Sequence, residues 1–496
     1  MWANFEAALL KIVATANSYL ADYALILLLV GIGLFYTIRT RFVQVRCFGH
    51  GFKLMVGKFS LVGGKQKGGL STFQALATAI AAQVGTGNIV GACGAILVGG
   101  PGAIFWMWII AFLGMATIYS EAVLAQKTRE VGEDGEVCGG PVYYIKTAFK
   151  GKFGKFLAAF FAVAAVLALG FMGSMVQSNS IAATVNTAFH VPTWVTGLAV
   201  AGLAAVIFLG GVNRLASVTE KIVPFMAALY LIGGLVLICI RIQYVPETFG
   251  MIFKYAFQPQ ALIGGTVGVA IKTAISQGAK RGLFSNEAGM GSTPHAHALA
   301  KVDDPHDQGC LAMIGVFIDT FVVLTMTALI VISTLYAGNG PLSNPLLGLG
   351  EGVKANASLI GLSNANMAQT AFGNAFGSAT FGNIFVAICL FFFAFSTIIS
   401  WNLFGKINAN YLFGKKGTIV YAVIAVVFIF MGSLFQNDLV WELTDFFNYL
   451  MVFPNVVALA MLSGMVASSA RKKKACCCCC ECADSAAVAE ESTEDQ

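Results

Sequence analysis

Long apolar stretches recur along almost the whole sequence, and a helix needs about 20 apolar residues to cross the hydrocarbon core of a bilayer. Only 11% of the 496 residues are charged, less than half of the roughly 25% found in soluble proteins. A chain with so few charges cannot cover a water-facing surface. A soluble enzyme, a nucleic-acid-binding protein and a disordered scaffold are therefore disfavoured, and we predict an all-α polytopic membrane protein.

Eleven stretches satisfy the length requirement, and we predict a transmembrane helix in each. They lie at 18–38, 70–98, 101–126, 156–188, 193–211, 216–241, 261–280, 308–336, 370–402, 417–434 and 439–468.

Basic residues indicate how these predicted spans are oriented. Most of the 30 lysines and arginines lie in alternate connections, among them 39–69 and 127–155, and in the stretch 471–474. Because Lys and Arg collect on the cytoplasmic side of a membrane, the N-terminus is predicted outside and the C-terminus in the cytoplasm. We expect a multi-pass protein of the plasma membrane, which is the inner membrane in a Gram-negative cell.

Two predicted spans contain residues that are unsuited to a plain helix. The second has the sequence Gly-Thr-Gly-Asn at 85–88, near its middle. The seventh opens with Gly264 and Gly265 and continues through Ser-Gln-Gly at 276–278. Glycine costs about 1 kcal/mol relative to alanine inside a helix, and unwound backbone within a membrane must line a cavity or contact something. We predict two broken helices, with close helix packing through small residues as the alternative for these glycines.

The two irregular spans lie five spans apart, which divides the chain into two units of five spans with opposite orientation. Such inverted repeats, each opening with an interrupted helix, are typical of secondary transporters. We predict an extra N-terminal transmembrane helix with a basic loop at 1–69, a first repeat at 70–241, a second, inverted repeat at 261–468 and a Cys-rich, disordered cytoplasmic tail at 469–496.

Several short motifs resemble those of the alanine or glycine:cation symporters, over roughly residues 70–470. The run Phe284–Gly289 is the most specific of them. The matching segments are Gly85–Ile89, Phe105–Trp108, Gly139–Tyr144, Met175–Asn179, Arg281–Gly289 and Phe395–Ile398. The resemblance implies a leucine-transporter-like fold and sodium-coupled symport of a small neutral amino acid, alanine or glycine, by alternating access.

The resemblance also implies where the ligands bind. Proteins of that fold hold the substrate at the broken first and sixth repeat helices, which are the spans at 70–98 and 261–280 here. They hold one sodium ion between the first and eighth repeat helices. By position, that ion would contact the carbonyls of Ala81 and Val84 and the hydroxyls of Ser396 and Thr397.

A zwitterionic substrate needs hydrogen-bond donors for its carboxylate and acceptors for its ammonium group, because an unpaired charge inside a membrane is very costly. A half-helix that restarts near Asn88 offers backbone amides and the positive end of its dipole. Carbonyls and hydroxyls near the interruptions suit the ammonium group. The predicted substrate-binding residues are Gly85, Thr86, Gly87, Asn88, Gln177, Ser276, Gln277 and Trp401.

Lys272 is the only basic residue deep in a predicted span. It is either a coupling group or a lysine whose stem is packed and whose head reaches water. Together with Arg281, Asn286 and Glu287 it is a candidate for gating or coupling. A proton-coupled carrier that uses Lys272 is the alternative function, and a passive channel is a third.

A cluster of possible metal ligands follows the seventh span: His295, His297, Asp303, Asp304, His306 and Asp307. These residue types bind transition metals, and a membrane-embedded metallohydrolase would use them. The cluster lacks the closed spacing of a zinc motif and lies in a basic connection. We therefore expect a solvated loop and no enzymatic chemistry. Glu121 and Asp319 are expected to be paired structural carboxylates.

Overall fold

The computed structural model describes residues 2–57, 69–131, 137–209, 211–257, 267–343 and 361–471. The α-helices are Trp2–Tyr19, Ile26–Arg39, Val43–Arg46, Phe48–Gly57, Thr72–Gln83, Ala92–Gly99, Gly102–Thr128, Pro141–Ala148, Gly151–Ala165, Ser174–Phe189, Thr193–Phe208, Gly211–Ile240, Val245–Phe257, Val267–Asn286, Pro294–Leu299, Pro305–Val316, Thr325–Val331, Met367–Phe376, Ala379–Gly432 and Asn437–Met461. Short π-helical turns lie at Leu20–Leu25, Gly87–Gly91, Val166–Gly173, Phe317–Leu324 and Ile332–Tyr336, and a 3-10 turn at Ile242–Tyr244. Strands Glu130–Val131 and Val137–Cys138 form an antiparallel pair.

Helices long and apolar enough to cross a bilayer dominate the part of the chain that the structure describes. Six pass this test alone, and the bent pair Thr72–Gln83 and Gly87–Gly99 makes a seventh candidate. The six are Gly102–Thr128, Gly151–Phe189, Arg214–Ile240, Pro305–Tyr336, Ala379–Gly432 and Asn437–Met461. Large apolar side chains such as Ile232 and Val423 are exposed on their outer faces. The prediction of an all-α polytopic membrane protein is confirmed, and the count of eleven spans stays a prediction.

The element Ala379–Gly432 is too long for a single crossing and consists of two helices. Its 54 residues are interrupted at Gly414, whose φ of 68° is not helical. The predicted span at 370–402 begins too early. Gly377 ends the preceding helix in a left-handed conformation, and the Ser378 hydroxyl caps the new one by accepting from the Phe381 amide.

The second predicted span is a broken helix, as the sequence indicates. Its first half, Thr72–Gln83, starts with a capping box in which Ser71 and Gln74 exchange hydrogen bonds. The helix stops before Val84, restarts through the π-helical turn Gly87–Gly91 and continues as Ala92–Gly99. The two halves are bent by 43°. We call Thr72–Gly99 the broken helix and residues 84–88 the break.

The second interruption lies further along the chain than the sequence predicts. The helix Val267–Asn286 is continuous through Ser276, Gln277 and Gly278, so an irregular helix at these positions is wrong; Gly264 and Gly265 lie outside the described residues. The chain leaves the helix after Asn286, where Glu287 has a φ of 57°. A short helix, Pro294–Leu299, follows. We call 287–293 the connecting segment.

Close packing explains why Gly278 is glycine without a break. A Cβ atom on Gly278 would lie 2.6 Å from the Cβ of Trp106 and 2.8 Å from the carbonyl oxygen of Ala103. Both belong to the helix Gly102–Thr128. Small residues bring membrane helices together in this way, so the packing interpretation of this glycine is confirmed.

We predict that Gly278→Ala destabilises the protein by about 1–3 kcal/mol, the usual cost of overpacking a filled interface. Gly202→Ala is the matched control, since a Cβ there meets nothing within 4 Å and alanine is the better helix former. Thermal unfolding of the purified proteins in detergent should show a lower midpoint for the first variant only. Equal midpoints would contradict the packing argument.

Candidate functional site

At the break, side chains satisfy backbone amides that a continuous helix would satisfy internally. The Gly85 amide donates to the Asn88 side-chain oxygen at 3.0 Å, and the Thr86 amide donates to the Gln177 side-chain oxygen at 3.1 Å. Thr86, Asn88 and Gln177 are fully buried. Among the described residues, the Thr86 hydroxyl and the Gln177 side-chain nitrogen have no hydrogen-bond partner. Five of the predicted substrate-binding residues therefore meet here: Gly85, Thr86, Gly87, Asn88 and Gln177.

The glycines of the break allow other elements to contact its backbone. A Cβ on Gly85 would overlap the Thr397 hydroxyl and lie 3.2 Å from the Gln177 side-chain oxygen. A Cβ on Gly87 would lie 3.0 Å from the ring of Phe284 and 3.1 Å from the Cα of Ser285. Any larger residue would separate the break from these neighbours, which is why backbone approach of this kind requires glycine.

Two of the four predicted sodium ligands lie together beside the break. The Thr397 hydroxyl donates to the carbonyl of Ala81 at 2.8 Å. Val84, three residues after Ala81, is the first residue of the break. The Ser396 hydroxyl donates instead to the carbonyl of Phe393 at 2.9 Å, within its own helix. The structure thus joins Ala81 to Thr397 and directs the Ser396 hydroxyl elsewhere.

Asp319 forms a buried polar cluster with the break, and the sequence did not indicate this connection. The Asn88 side-chain nitrogen donates to its carboxylate at 2.6 Å. The Ser285 hydroxyl donates to both carboxylate oxygens, at 3.0 and 2.9 Å, and the Thr320 hydroxyl donates to one at 2.8 Å. All of these donors are neutral. Asp319 lies in the π-helical turn Phe317–Leu324, an irregularity that is frequent at functional sites.

The connecting segment is held by Glu287 and Trp401. The Trp401 ring nitrogen donates to the Glu287 carboxylate at 2.5 Å, and the Ser292 hydroxyl donates to its other oxygen. The Trp401 ring packs edge-on against Phe284, with 5.7 Å between the ring centroids. Trp401 and Glu287 therefore meet next to the break, and a left-handed backbone at a non-glycine residue marks Glu287 as a constrained position.

Glu121 holds a later part of the same segment. Its carboxylate accepts from the amides of Gly289 and Gly291, at 3.1 and 3.0 Å, and from the Asn455 side chain at 2.6 Å. The two glycines have φ values of 89° and 81°, in the left-handed region that favours glycine. These contacts agree with the expectation that Glu121 is a paired structural carboxylate, which stays a prediction.

Arg281, one of the candidates for gating, pairs with Asp445. The guanidinium lies 3.2 Å from the Asp445 carboxylate and 4.5 Å from the centre of the Trp441 ring. Both partners come from the helix Asn437–Met461. A Cβ on Gly91 would lie 3.9 Å from Arg281, so this ion pair is on the side of the break that leads to Gly99. The Asn286 side-chain oxygen accepts from the Ala288 amide, which holds the start of the connecting segment.

Ser276, Gln277 and Lys272 do not lie at the break. Ser276 precedes Ser285 by about 13 Å along the helix axis, and Lys272 precedes it by about 20 Å, at 1.5 Å per residue. A Cβ on Gly99 would lie 3.1 Å from the Cβ of Gln277, which places Gln277 at the far end of the broken helix. The Lys272 side chain is exposed.

The histidines after the connecting segment are buried, so the expected solvated loop is wrong for them, although Asp303 further along is exposed. His295 and His297 have no exposed surface, because the short helix Pro294–Leu299 packs beneath its neighbours. His295 lies 2.9 Å from the Asn408 amide and His297 lies 2.8 Å from the Gln308 amide. Burial lowers the pKa of His295 to about 4 and that of His297 to about 3, so both are neutral at pH 7. They face separate partners and form no common metal site.

Comparison with known proteins gives a consistent result. The sequence profile described as "Sodium:alanine symporter family" matches residues 6–475. The Sodium/alanine symporter AgcS of Methanococcus maripaludis is 40% identical over 92% of this chain and 96% of that protein. The "Putative sodium/proton-dependent alanine carrier protein YrbD" of Bacillus subtilis is 39% identical over 91% of this chain and 90% of its own length.

Among solved structures, the crystal structure of MhsT in complex with L-phenylalanine aligns with a TM-score of 0.49. Its sequence identity is 14%, and the alignment covers 82% of this chain and 99% of that one. A likeness of this size is below the level from which a shared fold is inferred.

We predict that Gly85→Ala lowers alanine uptake by about tenfold or more. An added methyl group costs about 1–3 kcal/mol in a filled site, and each 1.4 kcal/mol is a factor of ten. Gly94→Ala is the control in the same broken helix, because its Cβ would make an ordinary contact at 3.6 Å. Uptake of labelled alanine should be compared at equal protein in proteoliposomes. Equal uptake by the two variants would show that the break is not the functional site.

Proposed function

Because this chain belongs to the sodium:alanine symporter family, we propose that it couples sodium entry to the uptake of a small neutral amino acid, alanine or glycine. The family's members are membrane transporters, so the chain is a secondary active transporter and not an enzyme. One observation carries the more specific proposal. At the break, backbone amides are held by side-chain oxygens of Asn88 and Gln177, which a substrate carboxylate can replace.

The proposed substrate site is the break itself. A carboxylate that accepts from the Gly85 and Thr86 amides displaces two neutral amide oxygens and gains the stronger bonds of an ionised acceptor. The unpartnered Thr86 hydroxyl and carbonyls of the break then face the ammonium group. Phe284 and Trp401 close one side of this space. One methylene in a pocket is worth only about 1–3 kcal/mol, so alanine and glycine would be weakly distinguished.

The proposed sodium site lies beside the Ala81 carbonyl and the Thr397 hydroxyl, 2.8 Å apart. Hard cations prefer such oxygen ligands. Binding the ion would turn the hydroxyl hydrogen away from Ala81, so that both oxygens face the cation. The carbonyl of Val84 is the third ligand that the family resemblance implies, and the Ser396 hydroxyl is the fourth. Ser396 would join them only by giving up its bond to Phe393.

The two proposed sites are coupled through Gly85, which contacts both. The Thr397 hydroxyl and the Gln177 side-chain oxygen both lie where a Cβ atom on this residue would be. Sodium would fix Thr397 and the last turn before the break, and the substrate would fix the amides that follow it. Each ligand therefore stabilises the backbone geometry that the other needs, and such coupling between binding sites is reciprocal.

Two contacts, one on each side of the break, could act as gates in an alternating-access mechanism. On one side is the Arg281–Asp445 pair. On the other, the chain before the broken helix pairs with the chain after the connecting segment, where the Leu70 amide donates to the Leu299 carbonyl at 2.9 Å. We assign the first to the outside and the second to the cytoplasm. This assignment follows the predicted direction of the span at 70–98, which begins at the cytoplasmic side. The predicted span at 261–280 ends too early for it, since Arg281 lies inside the helix Val267–Asn286.

A second coupling cation is proposed at Asp319. Its carboxylate is buried and receives hydrogen bonds from neutral donors, so a proton or another sodium ion would compensate its charge. A relative is named as a sodium/proton-dependent carrier. Asp319 touches the break through Asn88, whereas the exposed Lys272 does not reach it. Asp319 therefore replaces Lys272 as the residue of the proton-coupled alternative.

We predict that proteoliposomes concentrate labelled alanine under an inward sodium gradient and cease to do so when potassium replaces sodium. The sodium concentration for half-maximal uptake should rise in Thr397→Val, which keeps the shape of the side chain and removes the oxygen. Thr187→Val, where the hydroxyl only bonds the preceding turn of its own helix, should behave as wild type. Uptake driven by a pH gradient without sodium would overturn the sodium proposal, and no uptake under either gradient would overturn the choice of substrate.

We predict that Asp319→Asn transports one cation fewer with each alanine. Asparagine keeps the size of the side chain and removes the charge that a cation would compensate. The charge carried per alanine follows from the membrane potential at which net uptake stops, measured in proteoliposomes. Glu121→Gln is the control, because that carboxylate holds backbone amides and should leave the ratio unchanged. The wild-type ratio in Asp319→Asn would restrict Asp319 to a structural role.

A further inference from the structure

Two cysteines and a histidine converge away from the break, on the side of the molecule predicted to face the cytoplasm. Cys47 comes from the turn between the helices Val43–Arg46 and Phe48–Gly57, and His306 and Cys310 come from the helix Pro305–Val316. Their potential ligand atoms all lie within 4.8 Å of one another. We propose that these three residues, which we call the Cys47 cluster, bind a thiophilic metal ion, and that this ion is Zn²⁺.

The spacing of these atoms suits a tetrahedral ion. His306 and Cys310 are four residues apart on one helix face, and the Cys310 sulfur lies 3.4 Å from the His306 Nε2 atom. In a tetrahedral zinc site with Zn–S of about 2.3 Å and Zn–N of about 2.0–2.1 Å, a sulfur and a nitrogen ligand are about 3.6 Å apart. Small side-chain rotations therefore suffice to bring the three ligand atoms around one ion.

The histidine is already oriented for metal binding. The Tyr119 hydroxyl lies 2.7 Å from the Nδ1 atom of His306, which leaves Nε2 on the side of the two sulfurs. Metal-binding histidines usually have their second nitrogen fixed by such a hydrogen bond. Tyr119 belongs to the helix Gly102–Thr128, so the orientation is set by a third element.

The site also has a route to solvent. Cys310 and His306 are buried, whereas Cys47 is half-buried and neither cysteine takes part in a disulfide. The His50 ring stacks near the His306 ring, and His50 pairs with Asp307 at 2.9 Å, with 37% and 22% of these side chains exposed. An ion can enter beside this pair and keep a water molecule as its fourth ligand, as in sites with three protein ligands.

Metal binding would join two parts of the chain that are distant in sequence. Helix Phe48–Gly57 packs directly on helix Pro305–Val316, since a Cβ on Gly51 would lie 2.6 Å from the Cys310 carbonyl oxygen. The second helix continues into the turn that carries Asp319. We expect a bound ion to hold this contact and slow transport. That consequence rests on the proposed function, whereas metal binding itself does not.

The first test is metal binding by the full-length chain in detergent. Serines replace the six tail cysteines, Cys476 to Cys480 and Cys482, because these would also bind metal. After treatment with a chelator, the protein should bind about one Co²⁺ with sulfur-to-cobalt charge-transfer absorption, and about one Zn²⁺ should displace it. Cys47→Ser and Cys310→Ser should each lose this absorption. Cys239→Ser should retain it, because Cys239 is exposed and outside the cluster.

A second test does not depend on removing a ligand. Tyr119→Phe keeps all three ligands and removes the bond that orients His306, so zinc affinity should fall by about 10–100-fold. Zinc should also protect Cys47 of the protein with an intact cluster from alkylation by a maleimide. The proposal is overturned by cobalt absorption that persists in Cys47→Ser, or by alkylation that zinc does not slow. A Cys47–Cys310 disulfide that forms under mild oxidation of a protein unable to bind zinc would overturn it as well.

The regulatory consequence has its own readout. Micromolar zinc on the predicted cytoplasmic side should slow alanine uptake by the intact cluster and leave Cys47→Ser unaffected. If no alanine is transported at all, the proposed function fails while the cobalt and zinc titrations still decide the metal site. Equal inhibition of both proteins would overturn the regulatory role.

Discussion

Every element around the functional site depends on one requirement: backbone groups exposed at the break cannot be left unbonded inside a membrane. The protein meets it with side chains from other parts of the chain. Asn88 bonds the Gly85 amide from within the broken helix, and Gln177 bonds the Thr86 amide from another helix. Such hydrogen bonds are exchangeable, because a bound ligand can offer another acceptor to the same backbone amides. A continuous helix would be more stable and would offer no such group.

Side chains also connect the residues of the proposed cation sites, Asp319 and Thr397, to the break. The Asn88 side-chain oxygen accepts from the Gly85 amide, and its nitrogen donates to the Asp319 carboxylate. One side chain therefore links the carboxylate directly to the backbone of the break. The Thr397 hydroxyl contacts Gly85 while it donates to the Ala81 carbonyl. Changes in either proposed cation site would therefore alter contacts to the same few backbone atoms. Because the residues are in direct contact, coupling requires no long chain of intermediates.

The sequence predicted the broken helix at residues 85–88 because the signal is local: two glycines and two polar residues within an apolar stretch. It misplaced the second interruption, since Gly278 is a packing glycine and helix Val267–Asn286 continues past it. The signal that could have located it was the glycine pair at 289 and 291. The link between Asn88 and Asp319 and the burial of His295 depend on contacts between distant segments. No local pattern specifies such contacts.

Glu121 and Asp319 show how the surroundings of a buried carboxylate separate support from coupling. Two of the donors to Glu121 are backbone amides of Gly289 and Gly291, which cannot turn away without unfolding the connecting segment. The donors to Asp319 are two hydroxyls and an amide on side chains. Hydroxyls can rotate and present their oxygen to a cation instead of their hydrogen. Only Asp319 can therefore exchange its donors for an ion at little cost, which makes it the better candidate for coupling.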